Sequence, residues 1–60
     1  MKKYLVRYYY SIQLPKAKRT YEFRTMKDQL NSFFNSETEK YILITIPTTG
    51  DSSFEIIEIN

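Results

Sequence analysis

Apolar and polar residues alternate along the first stretch of the chain. Tyr4, Val6, Tyr8, Tyr10, Ile12 and Leu14 fall on one face, and Leu5, Arg7, Tyr9, Ser11 and Gln13 on the other. A period of two sustained over this length predicts a long β-strand. Pro15 and the charged string Lys16-Ala17-Lys18-Arg19 interrupt it, after which Thr20 to Arg24 alternates again with Tyr21 and Phe23 on one side. This predicts a second strand, and hence a hairpin with a basic tip. Inward positions are even before the turn and odd after it, so direct pairing requires an even loop, Lys16-Ala17 or Lys16 to Arg19.

The period then changes. Met26, Leu30, Phe33 and Phe34 recur at i, i+4, i+7 and i+8, one face of a helix of about 11 residues. Thr25 is placed to cap it, with Asp28 three residues later as a capping-box partner, and Asn35 and Ser36 end it. Lys40 to Ile46 is rich in β-branched residues and closed by Pro47, which predicts a central strand. The cluster from Pro47 to Ser52 predicts a turn in which Gly50, the only glycine, is free to take positive φ. A last strand runs from Ser53 to about Ile59, and its shift of phase between Ile56 and Ile57 predicts a bulge there.

These elements make one α+β domain over residues 1–60 in the order ββαββ: a four-stranded, mostly antiparallel sheet with one helix packed on one face. Two strand orders satisfy the pattern. The order 2-1-4-3, with the first and last strands parallel, resembles the small β-grasp domains typified by the immunoglobulin-binding domains of streptococcal protein G. The order 2-1-3-4 is wholly antiparallel and centres the Ile-rich strand, whose hydrophobicity favours it.

Ile, Leu, Val and Phe make up 16 of the 60 residues, enough to expect a folded chain. The absence of Cys and His removes disulfides, thiolate chemistry, imidazole bases and Cys/His zinc sites, and a chain with one glycine cannot build a Gly-rich phosphate cradle. Glu55 and Glu58 share a face only if the bulge forms, and Glu37 and Glu39 flank a loop. We therefore expect no catalytic residues, no cofactor and no metal. Arg7 and Ser11 break the opening run before it reaches the length of a secretory leader, and no stretch approaches the roughly 18 apolar residues of a membrane helix. A cytoplasmic protein that does not engage membranes is expected.

Charge divides the chain more sharply than its total of +2 suggests. Residues 1–30 carry Lys2, Lys3, Arg7, Lys16, Lys18, Arg19, Arg24 and Lys27 against Glu22 and Asp28, which is +6. Residues 31–60 carry Lys40 against Glu37, Glu39, Asp51, Glu55 and Glu58, which is −4. Such a dipole steers an oppositely polarised partner or draws two copies together.

Function follows from the face the helix leaves bare. With Val6, Tyr8, Tyr10, Ile12, Tyr21, Phe23, Ile42, Ile44 and Ile46 beneath the helix, the opposite face carries Leu5, Tyr9, Tyr41, Leu43 and either Ile57 or Ile59, an apolar patch that predicts a partner or a second subunit. A non-catalytic protein-binding module, homodimeric and bound to a larger bacterial protein, is the expectation. Arg7, Tyr9, Tyr41 and Leu43 are its contact residues, and Lys18 and Arg19 its steering charges. The alternative is a nucleic-acid-binding accessory protein that uses the basic hairpin, where Lys16, Lys18 and Arg19 lie near Lys2, Lys3, Arg7, Arg24 and Tyr9.

In its abundance of Lys, Ile, Asn, Thr and Tyr, and in its length, the chain resembles the very small products encoded by phages of low-GC bacteria. That resemblance implies action in the host cytoplasm by obstruction of a defence enzyme, as anti-CRISPR proteins, uracil-DNA glycosylase inhibitors and inhibitors of the Hachiman system act.

Overall fold

A computed structural model of the chain describes residues 2–35 and 37–60. It contains β1 (Lys2–Ser11), α1 (Lys16–Phe33), β2 (Glu39–Thr48) and β3 (Ser53–Glu58). The class is α+β, with one helix on a three-stranded mixed sheet ordered β2-β1-β3. The expected four strands and ββαββ order are replaced by β-α-β-β.

Pro15 accounts for the largest difference. Read as a strand breaker, it is the N-cap of α1, with φ −55° and ψ 145°. Proline is suited to a helix start because its φ is already helical and its missing N–H has no partner to lose there. The Arg19 N–H donates to the Pro15 carbonyl at 3.0 Å, closing the first turn over residues of good helix propensity. The segment expected as a basic hairpin tip and second strand is therefore helix. Tyr21 and Phe23 alternate over too few residues to oppose the longer period of Phe23, Met26, Leu30 and Phe34, which are spaced three, four and four apart.

Thr25 lies in mid-helix instead of capping it. Its hydroxyl donates to the Tyr21 carbonyl at 3.0 Å, as Thr20 donates to Lys16 at 3.0 Å. At the far end the Phe34 N–H still reaches the Leu30 carbonyl at 2.9 Å, and Asn35 turns the chain: its Oδ1 accepts from the Glu37 N–H, and its carbonyl from Thr38 and Glu39. The role expected of Ser36 in ending the helix lies outside the described residues, as does Met1 at the start of the opening run.

A helix between two strands permits them to run parallel. β1 and β2 pair in parallel from Lys2↔Glu39 to Ser11↔Thr48, and β1 pairs antiparallel with β3 from Tyr4↔Glu58 to Tyr9↔Ser53. The Ile-rich strand β2 is thus an edge, not the centre, and the first and last strands are antiparallel neighbours, unlike either expected order. The Lys2 and Ile12 N–H groups donate to the Thr38 and Thr48 carbonyls. Even residues of β2 therefore turn their backbone groups to β1, and odd residues turn theirs outward. Pro47, inside β2 instead of closing it, is odd, so its missing N–H falls on the free edge. A hairpin partner added on that side would lack one ladder bond, and β3 takes the other side of β1 instead.

To get there, residues 49–52 cross the end of β1. The Ser11 N–H donates to Ser52 Oγ at 3.2 Å, and the Ile12 N–H to the Thr48 carbonyl at 2.9 Å. Among the described residues no glycine has positive φ, so the turn does not draw on that freedom of Gly50. The β1/β3 register runs without interruption, which removes the expected bulge and leaves Ile56 and Ile57 on opposite faces.

The core lies between α1 and two of the strands. Val6, Tyr8, Met26, Leu30 and Phe34 are buried, with Tyr4, Tyr10, Phe23, Tyr41 and Leu43 packed around them. The Phe34 ring sits 4.9 Å from that of Tyr4 and 4.8 Å from that of Tyr41, whose hydroxyl donates to Asn31 Oδ1. Phe33, expected in the core, is 70% exposed, and Ile12, expected beneath the helix, is half exposed.

The open sheet face as candidate functional site

The parallel register decides which residues face away from α1. Val6 and Tyr8 are buried beneath the helix, so their neighbours Leu5, Arg7 and Tyr9 point to the other side. Each carries its register partners with it. Three rows cross the open face: Ile42–Leu5–Ile57, Ile44–Arg7–Glu55 and Ile46–Tyr9–Ser53. Lys40 and Lys3 form a fourth row at one end.

The column Ile42, Ile44, Ile46, with Leu5 and Ile57 beside it, is the apolar part of this surface, and Ile42 is 56% exposed. This reverses the expected assignment for β2. Tyr41 and Leu43, expected on the open face, pack against the core under the helix, while the three isoleucines expected there lie outside. Both sides of this strand are apolar, so its own pattern does not say which side is inward. A parallel partner aligned Tyr4↔Tyr41 settles that, and a slip of one residue would invert it.

At the centre of the face lies a polar group. The Tyr9 hydroxyl donates to Glu55 Oε1 at 2.6 Å, and Arg7 faces Glu55 directly across the ladder. The Glu55 carboxylate holds the Tyr9 phenol above its ordinary pKa of 10.0, chiefly by accepting that hydrogen bond, while Arg7 pulls in the opposite direction. The structure therefore brings together two of the four expected contact residues, Arg7 and Tyr9, and adds Glu55 and the isoleucine column. Glu58, considered with Glu55 as a carboxylate pair, is on the opposite face.

Lys18 and Arg19 lie elsewhere. Both belong to the start of α1, on the helix side of the sheet, where the Arg19 guanidinium stands 5.9 Å from the centre of the Tyr10 ring. The basic hairpin expected to bind nucleic acid does not exist. Lys16, Lys18, Arg19, Arg24 and Lys27 are instead distributed along one helix with Glu22 and Asp28.

The signal that would have found this face is the helical spacing from Phe23 to Phe34 together with Pro15, since a helix there permits a parallel β1/β2 pair. Among the described residues no group of three or more His, Cys, Asp or Glu side chains gathers to hold a metal, and no helix is long and apolar enough to cross a membrane. Compared with known proteins, the chain matches no family profile, no curated protein and no solved structure.

Proposed function

We propose that the chain is a non-catalytic protein-binding module whose open sheet face docks on an apolar patch, rimmed by acidic groups, of a larger bacterial protein. The observation that carries this reading is the column Ile42, Ile44 and Ile46, exposed at Ile42 and Ile44 and half-buried at Ile46, beside Leu5 and Tyr9, with Lys3, Lys40 and Arg7 outnumbering Glu55 among the charges of the face. A partner with apolar residues opposite the column and carboxylates opposite the lysines satisfies both features. The specific form of the proposal, taken from the resemblance to small phage products, is occlusion of a host defence enzyme.

The test begins with tagged chain recovered from bacterial lysate and proceeds to the purified partner. Reconstitution is expected to give a stable stoichiometric complex, with hydrogen exchange slowed at residues 5–9 and 42–46 and the partner's activity lost in proportion. Ile44→Asp is expected to abolish the complex while leaving the circular dichroism unchanged. A complex that survives Ile42→Asp with Ile44→Asp, or protection confined to α1, overturns the proposal.

A further inference from the structure

One helix cannot cover three strands, and α1 leaves β3 bare on its own side of the sheet. Phe54 is 50% and Ile56 39% exposed there, next to Phe33 at 70% and Tyr21 at 71%. Between α1 and β3 runs a largely apolar groove of about 220 Å³ lined by Met26, Gln29, Leu30, Phe33, Phe54 and Ile56. The total accessible surface, 4559 Å², exceeds the roughly 4,200 Å² expected for a monomer of this mass. The radius of gyration, 12.4 Å, likewise exceeds the roughly 10.4 Å expected for its length.

We infer that the occupant of this groove is a second copy of the chain, joined edge to edge through β3 about a two-fold axis perpendicular to the sheet. The backbone supports it. The Ile59 N–H donates to the Lys3 carbonyl, so odd residues of β3 bond to β1, and Phe54, Ile56 and Glu58 present their N–H and C=O groups at the free edge. Unlike β2, this edge contains no proline. With Ile56 on the axis, these groups pair Ile56 with its copy and Phe54 with Glu58, and no like charges meet. A shift that puts Glu55 on the axis sets it against its own copy and is disfavoured.

Such pairing makes a six-stranded sheet and leaves the two helices flanking a trough about two strands, or 10 Å, wide. Phe33, Phe54, Ile56 and Tyr21 of both copies fill it. At roughly 150–250 Å² per aromatic side chain, these residues hold about 400 Å² of exposed surface in each copy. With the strand edges added, the pair approaches the roughly 1,200 Å² at which stable interfaces begin. The axis keeps both open faces on one side, so the dimer presents two partner-binding surfaces together, although the dimer does not depend on that reading.

Sedimentation equilibrium of the full chain tests the inference, with a dimer expected at micromolar concentration. Ile56→Lys is expected to weaken dimerisation at least about 100-fold without loss of helix signal, because two unpaired charges would meet on the axis. The chain has no cysteine, so Ile56→Cys under mild oxidation is expected to give a covalent dimer, whereas Ile44→Cys remains largely unlinked. A monomer at 100 µM overturns the inference. So does a dimer that Ile44→Lys dissolves and Ile56→Lys does not, or failure of Ile56→Cys to cross-link.

Discussion

Adjacent residues on α1 separate packing from composition. Phe34 is buried between Tyr4 and Tyr41, whereas Phe33 stands mostly in solvent. Phe34→Ala is expected to cost about 3–5 kcal/mol, much or all of the roughly 3–9 kcal/mol available to a domain of this length. Phe33→Ala in dilute solution is expected to change stability by no more than about 0.5 kcal/mol. Urea denaturation of the two variants checks the contrast. The Tyr9 phenol, raised by Glu55, is expected to ionise above pH 10, and Glu55→Gln to lower that value; carbon-13 shifts of the tyrosine Cζ atoms report it. Because the folded value is raised, the hydrogen bond stabilises the fold below pH 10, and its contribution is lost as pH rises through the folded value.

At the scale of an element, α1 makes predictions opposite in sign to those of a hairpin. Thr20 is exposed and helical, so Thr20→Ala is expected to raise stability by about 0.5 kcal/mol through helix propensity, whereas in a strand the same change would lower it. The first turn contains no acidic residue and begins with Lys16 and Lys18, charges that oppose the helix dipole. Lys18→Glu is expected to stabilise by about 0.3–1 kcal/mol at low ionic strength, and the gain to shrink as salt screens it. Denaturation at two salt concentrations measures both quantities.

For the whole molecule, the edge strands decide how surface is used. β2 turns the nitrogen of Pro47 to its free edge and places its isoleucines on the open face, while β3 has an intact edge beside an uncovered groove. The two surfaces are separable: Ile44→Asp is expected to remove partner binding from a molecule that still dimerises, and Ile56→Lys to give a monomer that still binds its partner. Light scattering with and without partner distinguishes the four combinations.

Strand β1 was legible from its alternation alone, because one face of it is buried and the period of two is therefore strict over Tyr4, Val6 and Tyr8. The helical face of Met26, Leu30 and Phe34 was legible for the same reason, and so were Asn35 as the end of the helix and Arg7 with Tyr9 on the open face. The start of the helix was not, since Pro15 both breaks strands and opens helices, and only the packing of Phe23 from α1 against the core selects between the two. Nor was the inward side of β2, apolar on both faces, legible. Its orientation was decided by the parallel register with β1, a non-local property that the helical crossover allows and that no period within β2 records.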